Sequence, residues 1–231
     1  MMIDRAIEFA TKAHEGQFRK GTKRPYIVHP IEVGDIVSTM TKDEEVISAA
    51  ILHDTIEDCE GVTKELLEAS FSERVASLVA QESEDKSRSW IERKGSTIKR
   101  IRCAPYEVQM IGLADKLSNM RDIDRDYPVV GEELWNRFRM KDKKMIGWYY
   151  KGIRMRFGKR FPRFRLMKST VTWWTGISEV GNHRGEQGTG AHFPLGMCIH
   201  FYSPECHLFE SGSQDNAFAY TRDCDTPPDT V

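Results

Sequence analysis

The segment AAILHDTIED, residues 49–58, decides how this chain folds and where its chemistry lies. It begins with small and apolar residues, and four ionisable side chains follow within six positions: His53, Asp54, Glu57 and Asp58. A buried helix that ends in solvated acids would account for this pattern, and so would a metal site with acid–base residues beside it. On one continuous helix, His53 would lie beside Glu57 and Asp54 beside Asp58, because positions i and i+4 share a face.

Helical periodicity extends from residue 2 to about residue 155. Apolar residues recur at three- and four-residue spacing in IDRAIEFATKAHEG, and the segments HPIEVGDIVSTM and DEEVISAAILHD predict two further helices. An apolar stripe from about Pro105 to Arg125 predicts a long helix. We find no run of strands with period two before residue 160. The sequence therefore predicts an all-α domain over residues 1–155.

Residues 156–231 differ in character from the rest of the chain. The segment RFGKRFPRFRLMKS is basic and aromatic, and the stretch that follows is broken by glycine without a sustained period. We expect an irregular or disordered C-terminal extension with no recognised domain. A flexible extension, a poorly packed appendage and the product of a shifted reading frame all fit this composition.

The overall composition excludes several classes of protein. A hydrophobic content of 39% with 30% charged residues is ordinary for a soluble globular protein, and a formal net charge of -1 gives no global basic field for nucleic acid. No apolar stretch approaches the roughly 20 residues that span a bilayer, and the N-terminus does not resemble a signal peptide. Five cysteines without a CxxC motif indicate free thiols in a reducing compartment. We therefore expect a cytoplasmic protein without nucleic-acid or membrane partners, and its oligomeric state stays open.

Two other segments of the chain supply candidate ligands for the same cation as the His–Asp pair. Adjacent histidine and aspartate side chains suit a divalent cation that accepts nitrogen and oxygen ligands, such as manganese, iron or zinc. A third ligand is available at His29 in PYIVHP, and a fourth at Asp115, which interrupts the apolar stripe of GLADKLSNMRD. Each residue alone has an ordinary structural explanation. The ordered set of four predicts a metal site.

The order His29, His53–Asp54, Asp115 resembles that of the HD phosphohydrolase superfamily. Within it, the blocks GQFRKGTKRPYIVHP, AAILHDTIED and IGLADKLSNMRDI closely resemble the hydrolase domain of RelA/SpoT-type alarmone enzymes. Because no synthetase domain accompanies them, the small stand-alone alarmone hydrolases are the nearer match. The resemblance implies an HD-domain helical bundle and a manganese-dependent reaction that removes the 3′-pyrophosphate of guanosine tetra- or pentaphosphate, giving GDP or GTP and pyrophosphate.

The resemblance also implies a role for each matching position. The Mn²⁺ ligands would be His29, His53, Asp54 and Asp115; the catalytic pair would be Glu57 and Asp58; the substrate-binding residues would be Arg19, Lys20 and Asn119. Such a reaction needs a cation that activates water and a carboxylate within hydrogen-bond reach of that water. A substrate with several phosphates also needs cations at the rim, and a guanidinium can stack on a purine.

Two alternatives remain open at this stage. An HD phosphohydrolase for another nucleotide, such as NADPH, would share the metal core and differ in the loop that contacts the base. A non-catalytic, alarmone-binding regulatory module would have no need of the Glu57–Asp58 pair. A second basic block, between Arg93 and Arg102, is expected to form a solvated helix face in preference to a phosphate contact.

Overall fold

The computed structural model describes residues 1–82 and 87–157, all within one compact unit. In these ranges the chain forms helices α1 (Met2–Ala13), α2 (Val28–Ser38), α3 (Glu44–Leu52), α4 (Thr55–Asp58), α5 (Lys64–Ser70), α6 (Glu73–Glu82), α7 (Trp90–Ile101), α8 (Tyr106–Val130) and α9 (Lys143–Phe157). A 3-10 helix, Gly131–Arg137, follows α8. Over the described ranges there is no strand beyond an isolated bridge between Phe18 and Pro25. The predicted all-α architecture is confirmed.

The irregular extension predicted over residues 156–231 is described by the structure only in its first two residues. The expected irregular extension lies outside the described residues, apart from Arg156 and Phe157. These two residues complete α9, and Phe157 is buried. The division of the chain into residues 1–155 and 156–231 stays a prediction.

Helix α3 occupies the centre of the bundle. Every residue from Val46 to Leu52 is buried, and the helix packs against α1, α2, α6 and α8. Its N-terminus is capped by Asp43, whose carboxylate accepts a 3.0 Å hydrogen bond from the Glu45 amide. Full burial of a side chain such as Leu52 contributes about 1.5–3 kcal/mol. The apolar first half of AAILHDTIED therefore forms part of the core.

Two neighbours of α3 carry the other predicted ligands. Helix α2 crosses α3 so closely that Gly34 fits against Ile51, where a Cβ would lie 2.5 Å from the Ile51 Cγ1 atom. Helix α8 contacts both α2 and α3 along its buried face. His29 on α2 and Asp115 on α8 thus lie beside the C-terminal end of α3.

The loop between α1 and α2 is held in a folded form by its own backbone. The Arg19 amide donates to the Arg24 carbonyl at 2.9 Å, next to the Phe18–Pro25 bridge. Gly21 has a φ of 68°, and the side chain of Arg137 passes 2.5 Å from the position of a Cβ there. A side chain at residue 21 would meet both constraints, so glycine is required. The turn directs Arg19 toward α8.

No helix in residues 1–82 or 87–157 combines the length and the apolar character that crossing a bilayer requires.

Candidate metal centre and active-site cavity

The helix predicted through residues 49–58 is interrupted at the His–Asp pair. Helix α3 ends at Leu52 and α4 begins at Thr55, so the expectation of one continuous helix is wrong. The Thr55 hydroxyl donates to the Leu52 carbonyl at 2.7 Å, and His53 Nδ1 lies 2.8 Å from the Ala50 carbonyl oxygen. These side chains bond the carbonyls at the end of α3 in competition with further helical turns. The break leaves both members of the pair facing the same space.

His53 presents one nitrogen of its ring to this space. Its Nδ1 must carry the proton that is donated to Ala50, because a carbonyl oxygen only accepts. The other nitrogen, Nε2, is buried, and among the residues that the structure describes no group meets it with hydrogen-bond geometry, although Asp54 Oδ2 lies 3.1 Å away. An unpartnered buried nitrogen with a lone pair is a donor atom that suits a cation.

His29 approaches from α2. Its ring lies 5.2 Å from the ring of His53, at an interplanar angle of 72°. His29 Nδ1 is 2.8 Å from the Ser118 hydroxyl oxygen, while Nε2 is 3.3 Å from Asp115 Oδ1. The two buried imidazoles therefore converge on one point through their Nε2 atoms.

The carboxylates of Asp54 and Asp115 complete this cluster. Asp54 Oδ2 lies 3.1 Å from His53 Nε2 and 3.6 Å from His29 Nε2, and Asp115 Oδ1 lies 3.9 Å from His53 Nε2. One ligand atom from each of His29, His53 and Asp115 falls within 4.8 Å of the others. Two imidazole nitrogens with carboxylate oxygens form a donor set that divalent manganese, iron or zinc accepts. The residues present therefore fit a divalent cation.

The electrostatics of the cluster favour such a cation. Burial lowers the pKa of His53, but the carboxylates of Asp54 and Asp115 outweigh burial and raise this pKa to about 9. Burial also opposes ionisation of Asp115, but the Lys116 ammonium and the imidazoles hold its pKa well below the usual range. Positive charge is thus favoured between ionised carboxylates. A cation can supply that charge in place of imidazole protons, since ligands bind in deprotonated form.

The cluster lies in a cavity of about 390 Å³. All nine residues singled out in the sequence line this cavity: Arg19, Lys20, His29, His53, Asp54, Glu57, Asp58, Asp115 and Asn119. Glu57 is half-buried and Asp58 is exposed, one helical turn beyond the His–Asp pair. Tertiary packing therefore brings together residues that are up to 100 positions apart, as in the pair of Arg19 and Asn119.

A family model described as an HD domain matches residues 6–137 of the chain. This match covers more than half of the sequence and includes both histidines, the His–Asp pair and Asp115. The chain belongs to the HD-domain family.

Two curated relatives of this HD domain are named as hydrolases of the same nucleotide. The guanosine-3′,5′-bis(diphosphate) 3′-pyrophosphohydrolase MESH1 of Danio rerio is 37% identical over 139 residues, which are 59% of this chain and 74% of that protein. A Vibrio cholerae guanosine-3′,5′-bis(diphosphate) 3′-pyrophosphohydrolase is 41% identical over 120 residues, 49% of this chain and 17% of that protein. The resemblance to alarmone hydrolases is confirmed, and the HD domain is a metal-dependent phosphohydrolase.

Two solved structures match the fold of this chain. A structure described as a metazoan ortholog of SpoT that hydrolyses ppGpp matches with a TM-score of 0.63 and 27% identity, over 76% of this chain and 96% of that one. A crystal structure from Listeria monocytogenes matches with a TM-score of 0.58 and 31% identity, over 64% of this chain and 99% of that one. The helical bundle is therefore that of an HD domain.

Arg19 is held in the HD-domain cavity by several contacts. Its Nε donates to Asp122 Oδ2 at 2.8 Å, and one terminal nitrogen donates to Asn119 Oδ1 at 2.7 Å. The guanidinium carbon also lies 5.4 Å from the centre of the Tyr26 ring. Asn119 in turn donates to Asp115. Asn119 therefore links Arg19 to Asp115, one of the carboxylates of the candidate metal site.

Lys20 also lines the cavity. Burial lowers its pKa, and the positive charges of Arg139, Arg19 and Lys94 lower it further, while the carboxylate of Asp58 raises it. Cations from three segments thus face this part of the cavity. Such a wall suits a ligand with several negative charges.

Several residues of the cavity were not identified from the sequence. Tyr26 donates to Asp54 Oδ2 at 2.6 Å, and the ammonium of Lys116 donates to Asp115 Oδ2. Lys116 follows Asp115 within an apolar stripe, a signal that could have identified it. The basic block divides in two, because Arg93 and Lys94 line the cavity whereas Lys99 and Arg100 are exposed.

Proposed function

We propose that this HD domain hydrolyses guanosine tetra- and pentaphosphate at the 3′-pyrophosphate, releasing pyrophosphate and GDP or GTP. The observation that carries the proposal is one cavity with a cation-binding cluster, a carboxylate pair and a cationic wall. The names of the relatives support the substrate, since both curated proteins compared above are 3′-pyrophosphohydrolases of the guanosine bis(diphosphate).

In this proposal, His29, His53, Asp54 and Asp115 hold Mn²⁺. When bound, such a cation lowers the pKa of a water molecule and neutralises charge on phosphoryl oxygens. The set of imidazole nitrogens and carboxylate oxygens accepts manganese as well as iron or zinc, and manganese is chosen because the resemblance to alarmone hydrolases implies it. The buried, unpartnered Nε2 of His53 supports this assignment.

Glu57 and Asp58 act on the attacking water. Both carboxylates line the cavity one turn after the His–Asp pair, where one can orient the water and the other can accept its proton. Asp58 is exposed, so a proton taken from water can pass to solvent from this carboxylate. Proton transfer of this kind contributes about a hundredfold to ten-thousandfold to a rate.

Arg19, Lys20 and Asn119 bind the nucleotide. The planar guanidinium of Arg19 can stack on the guanine base, and its fixed position lowers the entropy that binding costs. Lys20 and Asp58 both line the cavity, the Asp58 carboxylate raises the pKa of Lys20, and the Lys20 ammonium can attract phosphate to this part of the cavity. We place the reaction in the cytoplasm, where its nucleotide products are used.

The test is pyrophosphate release from guanosine tetraphosphate by the full-length chain, with Mn²⁺ and after removal of metal by a chelator. We expect turnover with Mn²⁺, loss of turnover with chelator and recovery when Mn²⁺ returns. Asp54→Ala should lose turnover in Mn²⁺. The exposed change Asp4→Asn serves as a control that keeps it.

Two other results would indicate a different substrate or a protein without catalytic activity. Phosphate release from NADPH without pyrophosphate release from guanosine tetraphosphate would replace the proposed substrate. Binding of guanosine tetraphosphate in Mn²⁺ without release of any product would make the chain a regulatory module. Either result would contradict the proposal.

A further inference from the structure

The Nδ1 side of His29 is connected to a chain of hydrogen bonds between α2 and α8. His29 Nδ1 lies 2.8 Å from Ser118 Oγ, and the same hydroxyl oxygen donates to Glu32 Oε2 at 2.7 Å. Arg121 donates to the other oxygen of Glu32 at 2.8 Å. The first two members are buried, while Glu32 and Arg121 reach the surface.

The direction of every proton in this chain follows from donor and acceptor counting. The Ser118 hydroxyl has one proton, and a carboxylate has none to give, so this proton lies between Ser118 and Glu32. Ser118 Oγ therefore accepts from His29, and the ring proton of His29 lies on Nδ1. Nε2 is left with the lone pair that faces Asp54 and Asp115.

We propose that Ser118 and Glu32 are positioning residues that fix the tautomer of His29 for metal binding. The inference rests on the metal site of the proposed function and adds the device that keeps His29 Nε2 free. His53 needs no such device, because its Nδ1 donates to the backbone carbonyl of Ala50. Both imidazoles thus carry a proton on Nδ1 and leave Nε2 free, His29 by donating to a side-chain hydroxyl and His53 by donating to a backbone carbonyl.

We call the hydrogen-bond chain from His29 through Ser118 to Glu32 the relay. It matters because a competing tautomer of His29 is available. With the proton on Nε2, His29 would donate to Asp115 Oδ1, which is 3.3 Å away, and the nitrogen would be closed to a cation. Ser118 removes this option by offering an acceptor to Nδ1. Glu32 prevents the hydroxyl of Ser118 from donating to Nδ1 instead.

Ser118→Ala is the direct test, with Mn²⁺ affinity as the readout. Loss of free Mn²⁺ signal in electron paramagnetic resonance gives the dissociation constant on the full-length chain without substrate. We expect Ser118→Ala to bind Mn²⁺ about 10- to 100-fold more weakly, the usual effect of losing a group that orients a metal ligand. Ser118→Thr keeps the hydroxyl and should restore affinity close to that of the unaltered chain.

The fold provides a matched control for the loss of a serine–glutamate–arginine chain. Ser72 donates to Glu45 at 2.6 Å, and Arg74 donates to the same carboxylate at 2.8 Å, without contact to the metal cluster. Ser72→Ala removes an equivalent hydroxyl and should leave Mn²⁺ affinity unchanged. Glu32→Ala should weaken Mn²⁺ binding, while Glu45→Ala should not.

The outcomes separate the relay from the metal site itself. Unchanged Mn²⁺ affinity in Ser118→Ala, when the unaltered chain binds Mn²⁺, would overturn the relay and leave the proposed function standing. Equal losses in Ser118→Ala and Ser72→Ala would also overturn it, since they would indicate general destabilisation. If the unaltered chain bound no Mn²⁺, the metal site, the proposed function and the relay would all be contradicted.

Discussion

The Tyr26 hydroxyl donates a 2.6 Å hydrogen bond to Asp54 Oδ2, the carboxylate oxygen that faces both imidazoles. Burial and the neighbouring Asp54 carboxylate raise the pKa of Tyr26, so the hydroxyl keeps its proton and always donates. The ring is fixed by His14, whose ring centre lies 4.7 Å away, and it carries the guanidinium of Arg19 on its face. The Tyr26 side chain thus contacts both the candidate metal site, through Asp54, and the cationic wall of the cavity, through Arg19.

Tyr26→Phe keeps the ring and removes only this hydroxyl. We expect turnover of guanosine tetraphosphate to fall by about 10- to 100-fold, because Asp54 loses the donor that orients it. The matched control is Tyr127→Phe, which removes a 2.7 Å hydrogen bond to Glu132 at the surface. Steady-state kinetics should show the loss in Tyr26→Phe alone, and equal rates in both variants would contradict the role of Tyr26.

Asp58→Asn separates chemistry from metal binding. Asparagine keeps the shape of the side chain but cannot accept a proton from water, so we expect kcat to fall by about a hundredfold to ten-thousandfold. Mn²⁺ affinity should stay unchanged, because Asp58 lies outside the cluster of His29, His53 and Asp115. Full activity in this variant would assign water activation to another group.

Arg19→Ala tests the proposed role of the cationic wall in binding the nucleotide. Asp122 keeps its ion pairs with Arg24 at 3.1 Å and Arg125 at 2.8 Å, so the carboxylate is not left without a cation. We expect KM to rise by about 10-fold, the cost of losing a desolvated stacking contact between guanidinium and base, with a smaller change in kcat. Arg74→Ala, which breaks surface ion pairs with Asp43 and Glu45, is the control. A loss in kcat with unchanged KM would argue against a binding role.

Two glycines on helices should respond oppositely to alanine. At Gly34 a Cβ would lie 2.5 Å from Ile51 Cγ1, so Gly34→Ala should lower the free energy of unfolding by about 1–3 kcal/mol through overpacking. At Gly95 the nearest atom is 4.0 Å away, in the ring of Trp148, so Gly95→Ala should raise it by up to about 1 kcal/mol. Urea unfolding measures both. A stabilising Gly34→Ala would contradict the close packing at Gly34, and a destabilising Gly95→Ala would contradict the open space at Gly95.

Glu82 should make stability depend on pH. Burial raises its pKa from 4.5 to about 7; Asp115 adds to the rise, and Lys116, His53 and Arg100 oppose it. A carboxyl group with a raised folded pKa favours folding below its unfolded pKa, and this contribution is lost as pH rises through the folded value. The contribution of Glu82 to the free energy of unfolding therefore decreases as pH rises from 4.5 to about 7.

The variant Glu82→Gln removes this titration. We compare the free energy of unfolding of the variant with that of the unaltered chain, by urea unfolding at pH 5 and at pH 8. The difference should favour the variant more at pH 8 than at pH 5. The control Glu60→Gln, at an exposed position, should give the same difference at both pH values. A pH-independent difference for Glu82→Gln would contradict the raised pKa.

The sequence alone determined the helical character of residues 2–155 and selected nine side chains that the structure places around one cavity. Helical spacing in α1, α3 and α8 reports burial directly, because a face that is apolar every three or four residues must pack against another element. His29, the His–Asp pair and Asp115 could be selected because each interrupts or ends an apolar pattern. These are local properties, and a sequence contains them in full.

Tertiary structure decided how those residues meet and which partners they have. The break between Leu52 and Thr55 depends on side-chain hydrogen bonds that compete with the helix, which periodicity does not reveal. The contacts of Tyr26 with Asp54 and of Ser118 with His29 join residues 28 and 89 positions apart. Such contacts depend on how α2, α3 and α8 cross, and crossing is set by close packing of the core as a whole.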